Sequence, residues 1–175
     1  MKSRDQIKDE LLVLRCQARD SQAFEELVDR WQQRLWRHAR LLTGEDDAAW
    51  DVVQETWVAI VRGIPRLQDT AAFPRWVYSI LNGRCVDWIR RQQRQRRLSE
   101  SLEIESRASE PTDEYDALRA AMDNLPTEER AILSLRYTEQ YSTDEIAEIL
   151  GIPEGTVKSR LYSAREKLRQ LMERS

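Results

Sequence analysis

The stretch GIPEGTVKSRLYSAREKLR, residues 151–169, holds Lys158, Arg160, Arg165, Lys167 and Arg169 against Glu154 and Glu166. Ser159, Tyr162 and Ser163 are interleaved with these cations. That combination suits a polyanion with readable edges: cations meet phosphate oxygens, while hydroxyls and an aromatic plane meet bases. Yet the chain as a whole is acidic, with a formal net charge of -3 over 175 residues. The charge lies in blocks. Residues 84–97 carry six arginines against Asp87, net +5, and 98–118 carry seven acids against Arg107, net -6. Residues 156–174 return to net +4, with six cations against Glu166 and Glu173. Such asymmetry says more about partners than the sum does.

Other chemistries lack their residues. His38 is the single histidine, and Cys16 and Cys85 stand alone without a CxxC pair. A Cys/His zinc site is therefore not expected, and the two cysteines read as small buried hydrophobes in a reducing compartment. There is no Gly-rich phosphate loop and no nucleophile–base constellation, so neither a catalytic residue, a metal nor a cofactor is expected. No apolar run approaches a membrane span, and the N-terminus lacks the apolar core of a signal peptide. The expectation is a soluble cytoplasmic protein with no membrane partner.

Helices must position the cations. Five Gly, five Pro and 34% charged residues predict an all-α chain of small units, each with a modest core. A helix capped by Asp20 or Ser21 is predicted from the spacing of Phe24, Leu27, Val28, Trp31, Leu35 and Leu42, ending at Gly44. DELLVLRCQA before it predicts a further helix. Residues 46–62 predict a third, burying Trp50, Val53, Trp57, Ile60 and Val61 and showing Asp51, Gln54, Glu55 and Arg62 on the other face. After a loop containing Pro65, a long helix runs from about Ala71 to Arg97, with Pro74 tolerated in its first turn. The acidic stretch that follows has four serines, a proline and few large apolar residues, and reads as a linker. Domains are accordingly expected at 1–97 and 114–175, joined by a flexible acidic linker at 98–113.

Beyond the linker, helices are predicted from Tyr115 to Leu125, from Thr127 to about Tyr137, from a Thr143 cap over DEIAEIL, and from Pro153 onward. At 100° per residue, Leu161, Ala164, Leu168 and Leu171 fall within about 50° of Val157 and form one apolar stripe. Gly155, Ser159, Tyr162 and Glu166 lie opposite, flanked by Lys158, Ser163 and Arg169. A short capped helix, a Gly-containing turn and a longer helix with a polar face make a helix-turn-helix. In that motif the start of the second helix reaches base edges in the major groove. Lys158, Ser159 and Tyr162 occupy those positions, and Arg160, Arg165 and Lys167 lie at the sides, suited to phosphates. An ordinary amphipathic helix with solvated charges is the alternative.

The segment LPTEERAILSLRYTEQYSTDEIAEILGIPEGTVKSRLYSAREKLR closely resembles the fourth domain of bacterial RNA polymerase sigma factors of the extracytoplasmic-function (ECF) class. DSQAFEELVDRW, DVVQETW and FPRWVYSILNGRCVDWIRRQQR resemble the second domain of the same class. The resemblance implies a transcription initiation factor, not an enzyme, that binds core RNA polymerase through its β′ clamp and β subunits and directs it to promoter DNA. It implies that Lys158, Ser159, Tyr162 and Ser163, with Arg160 and Arg165, face the minus-35 element. It implies that Asp51, Gln54 and Glu55 dock the β′ clamp. A loop and the long helix would take the unpaired minus-10 strand by stacking and hydrogen bonding, with Arg84, Arg90, Arg91 and Arg94 on DNA phosphates. Trp88 is a stacking candidate, while Trp76 is assigned to the core.

Two departures stand out. Gly83 replaces the Asn of the family pattern, with Asn82 or Arg84 expected to deputise, and Ser163 stands where the family often has Arg. Members of the class are often held by an anti-sigma factor, a further expected partner that no stretch identifies. A regulator using the helix-turn-helix without polymerase is the alternative function, but it leaves the Arg-rich helix and DVVQETW without a role.

Overall fold

In the computed structural model, residues 4–98 and 114–173 are described, and every element among them is helical. The chain divides into two compact units, with the division falling in the long fourth helix after Cys85. The expected linker lies outside the described residues except for Leu98. No helix among the described residues is long and apolar enough to cross a membrane.

The N-terminal unit is built from α1 (Arg4–Gln17), α2 (Ser21–Thr43), α3 (Asp46–Gly63) and the start of α4 (Phe73–Leu98). Asp20 caps α2, accepting from the Ala23 N–H at 3.1 Å, and Arg15 holds the same carboxylate at 2.8 Å. The Ala23 amide first and Arg15 second keep its pKa below the usual carboxylate range. Gly44 ends the helix at φ 80°. The predicted stripe of α2 forms the core: Leu27, Trp31, Leu35 and Leu42 are all at most 1% exposed. Trp31 meets Phe73 and Tyr78 of α4 edge-on, with ring centroids 5.5 and 6.2 Å apart. Both cysteines are buried and free, and burial pushes the Cys85 thiol up to about 12.

The inner face of α3 differs from the expectation. Ala48, Ala49, Val52, Val53, Thr56 and Ile60 are buried, whereas Trp50 is 39% and Val61 51% exposed. Small side chains let two helix backbones approach closely, so the bulky indole is displaced to the flank. There Trp50 lies beside Trp36 of α2, with centroids 5.7 Å apart. The buried Thr56 hydroxyl donates to the Val52 carbonyl at 2.8 Å, which is how a polar group sits on that face.

Between α3 and α4 the chain makes two 3-10 turns, Ile64–Arg66 and Thr70–Ala72. Gly63 is needed here for closeness: a Cβ would stand 2.6 Å from Cζ2 of Trp76. Trp76 is half-buried, at the margin of the core to which the sequence assigns it, and also packs on Phe73.

The C-terminal helices are α5 (Glu114–Asp123), α6 (Thr127–Leu133), α7 (Thr143–Leu150) and α8 (Glu154–Met172). α6 widens into a π-helical turn, Ser134–Thr138, where the Glu139 N–H reaches the Ser134 carbonyl at 3.1 Å. Ser142, not Thr143, caps α7, in a capping box whose other half is the Glu145 carboxylate. Gly151 at φ 64° then reverses the chain, a conformation in which a Cβ is strained. Pro153 stands at the cap of α8 rather than within it.

Candidate nucleic-acid and partner interfaces

The short α7, the Gly151 turn and α8 form the helix-turn-helix that the spacing predicts. Val157, Leu161 and Ala164 are buried at no more than 4% exposure and seat α8, which fixes the azimuth of every other side chain on it. Opposite them, Gly155, Lys158, Ser159 and Tyr162 are exposed, Tyr162 at 73%. Nothing lies within 4 Å of where a Gly155 Cβ would be, so an incoming surface can come close to that backbone.

These groups are partly pre-arranged. Lys158 pairs with Glu154 at 2.9 Å, one turn back, and Glu154 also accepts from the Thr143 hydroxyl at 2.6 Å. Thr143 first and Lys158 second hold Glu154 below the usual carboxylate range. The Ser159 hydroxyl turns back to the Thr156 carbonyl at 3.0 Å. Arg165 lies with its guanidinium carbon 5.5 Å from the ring centroid of Tyr137, an exposed aromatic that the sequence pattern did not mark. Arg160 is half-buried beside this face.

Two further cations and a hydroxyl of α8 also have carboxylate partners. Ser163 donates to Oε1 of Glu129 at 3.0 Å, and Lys167 reaches the same oxygen at 2.8 Å. Glu129 is 7% exposed on α6, so this three-membered cluster ties α6 to α8. The expectation that Ser163 faces DNA is corrected accordingly: its hydroxyl is held against α6, whereas the exposed Lys167 ammonium keeps further donors beside the one given to Glu129. Both donors go to Oε1, and the buried Oε2 of Glu129 has no hydrogen-bond partner. Arg169 pairs with Glu166 at 2.6 Å and Glu173 at 2.9 Å on the exposed surface, the same kind of pair that Lys158 makes with Glu154.

On α4 the picture is split. Arg90, Arg91 and Arg94 are exposed, while Arg84 and Trp88 are half-buried. Asn82 is a correction. It is 6% exposed, its Nδ2 donates to the Tyr78 carbonyl at 2.8 Å, and its Oδ1 faces Nε2 of His38 at 3.3 Å. An amide oxygen only accepts, so this contact is a hydrogen bond in the forms of the imidazole that carry a proton on Nε2. His38 itself is 1% exposed, against the Tyr78 ring. Asn82 is thus a core group linking α2 to α4 and does not replace the family's Asn. Gly83 is exposed, and a Cβ there would meet nothing within 4 Å, so crowding does not account for the glycine.

On α3, Asp51, Gln54 and Glu55 are all exposed and share one side of the helix with Trp50, Val58 and Val61.

The family model described as Sigma-70 region 2 matches residues 27–95, and the one described as Sigma-70, region 4 matches residues 115–168. The ECF RNA polymerase sigma-E factor of Haemophilus influenzae is 31% identical, over 94% of this chain and 95% of its own length. The chain belongs to the ECF RNA polymerase sigma factors. The ECF sigma factor SigE of Mycolicibacterium smegmatis is 33% identical over 86% of this chain, which spans 62% of that relative's length. Among solved structures, the sigma factor RpoE of Bartonella quintana, in complex with the anti-sigma factor NepR, superposes with a TM-score of 0.74. It is 25% identical and covers 86% of this chain and 96% of its own. Sigma factors are non-catalytic transcription initiation factors, so the chemistry of RNA synthesis belongs to the polymerase.

Proposed function

We propose that this ECF sigma factor docks core RNA polymerase through the Asp51–Gln54–Glu55 side of α3 and reads two promoter elements with two separate domains. Residues 1–97 take the polymerase and the minus-10 element, residues 98–113 connect, and residues 114–175 take the minus-35 element. The observation that carries the reading is the split of polar faces. α3 presents carboxylates suited to a basic partner surface, whereas α4 and α8 present arginine and lysine suited to phosphate. Lys158, Ser159 and Tyr162 read base edges, with Arg160 and Arg165 on flanking phosphates. Arg84, Arg90, Arg91 and Arg94 hold the backbone of the unpaired strand.

The place of work is the cytoplasm, where polymerase and chromosome meet. An anti-sigma factor is a further partner in this reading, supported by the Bartonella quintana neighbour being solved with one bound. Run-off transcription with core polymerase is the test. Defined transcripts that require the added chain are the expected result; DNA binding with no transcript would favour a regulator acting without polymerase.

Within α8 the two faces should separate. Lys158→Ala and Tyr162→Ala are each expected to weaken upstream-element binding by about 1–3 kcal/mol and to relax base preference. Arg165→Ala should weaken all sequences alike and flatten the salt dependence. Binding titrations on matched and scrambled duplexes at several salt concentrations check both. An altered base preference in Arg165→Ala alone would reverse the assignment of faces.

The boundaries proposed here predict where a Glu-specific protease cuts first. Cleavage should fall between 98 and 113, where the acids concentrate, and leave fragments near 1–97 and 114–175. Mass spectrometry of the early products decides it. First cuts inside either fragment would contradict the boundaries.

A further inference from the structure

Gln17 is the last residue of α1, and it makes a contact that a helix-terminal glutamine does not need for its own helix. Its single amide nitrogen donates to two main-chain carbonyls, Ile64 O at 3.0 Å and Leu67 O at 2.8 Å. An amide NH₂ has two hydrogens, so both are spent on the loop between α3 and α4. Ile64 O also accepts from the Leu67 N–H at 3.2 Å, which closes the 3-10 turn. The two tied carbonyls therefore bracket the turn. Ile64 is 3% exposed and anchors one end in the core. Arg66 and Gln68, by contrast, are exposed, and the loop runs directly into α4 through the Asp69 carboxylate, which caps the Ala71 N–H at 3.0 Å.

We infer that Gln17 is a positioning residue for the capture of unpaired DNA: it fixes the 64–68 turn so that Arg66 and Gln68 are presented in one arrangement beside the N-terminus of α4. The inference rests on the reading of α4 as the helix for the unpaired promoter strand. A guanidinium and an amide on a fixed turn can meet phosphate and base edge together, and a turn held in one conformation spends less ordering entropy when it binds. Loss of the amide leaves Leu67 O to water, and the turn then relies on its internal hydrogen bond and on the buried Ile64 side chain. The contact is out of reach of local patterns, because it joins positions 47 and 50 residues apart.

The test uses the full chain with core polymerase and a pool of bubble templates, randomised at the unpaired non-template positions. Gln17→Met keeps length and removes the donors; Gln17→Lys restores a donor at similar reach. Gln17→Met is expected to lower selectivity for the preferred unpaired bases about tenfold, the worth of roughly one base contact. Core affinity, melting temperature and binding to fully duplex upstream-element DNA should stay at parental values. Gln17→Lys should recover most of the selectivity. Parental selectivity in Gln17→Met overturns the inference, as does equal loss in both variants, or loss accompanied by weakened core binding or melting. A parent chain with no preference in the unpaired strand removes the underlying reading of α4, and the inference with it.

Discussion

Trp31→Ala should lower the stability of the N-terminal unit by about 3–5 kcal/mol, the usual cost of emptying a buried aromatic site. Trp31 is 1% exposed and stands where α2 meets α4, edge-on to Phe73 and Tyr78 and beneath the guanidinium of Arg34, 4.4 Å from its ring. Removing the indole takes away its apolar burial, two edge-to-face contacts and a cation–π contact together. Small domains have about 5–15 kcal/mol in total, so the loss consumes a large share of it. Thermal denaturation followed by far-UV circular dichroism should show a first transition lowered by more than about 12 °C. Trp31→Phe, which keeps a ring, should lose markedly less. A shift under about 4 °C for the alanine variant would mean that the α2–α4 contact is not the centre of that core.

The second large effect concerns the polymerase. Asp51→Lys with Glu55→Lys should reduce affinity for core RNA polymerase by about 10–100-fold, equivalent to roughly 1.4–2.8 kcal/mol. Both side chains are exposed, away from the buried face formed by Ala49, Val52, Val53, Thr56 and Ile60. Exposed substitutions generally cost within about 0.5 kcal/mol of stability, so melting should change little. Reversing charge opposite a basic surface replaces attraction with repulsion and slows association as well. Binding of the double variant and the parent to core, measured side by side at two salt concentrations, checks this. Equal affinity would remove this side of α3 from the interface. Unaltered DNA binding by a fragment of residues 114–175 provides the control, since it lacks the substituted helix.

Much of this molecule is legible in local patterns. The α2 stripe, the Asp20 cap and Gly44 stop, the Pro74 start of α4 and the α7–turn–α8 motif each follow from residues within one or two turns of each other. Helical periodicity and capping are short-range effects, so the order of residues specifies them directly. The exposed side of α3 and the face of Lys158, Ser159 and Tyr162 follow for the same reason: once the apolar stripe is known, its opposite is known.

What the pattern misjudged depended on distant partners. Trp50 reads as core by its bulk, but close approach of α3 to α2 favours alanine and valine at the contact and sends the indole to the flank. Ser163 reads as part of a DNA face until Glu129, more than thirty positions earlier, is seen to hold its hydroxyl. Asn82 reads as a reader of bases until His38 meets it from α2. Gln17 carries no signal at all in the chain, since its two carbonyl partners lie about fifty residues on. A polar side chain has the same helical periodicity whether its partner is water, DNA or a buried carboxylate. Sequence alone therefore determined the helices, the buried stripes of α2 and α8 and the family the chain belongs to. Only the tertiary structure decided which polar groups on those helices are spent inside the fold, because that choice is made by desolvation and by partners that chain order does not bring together.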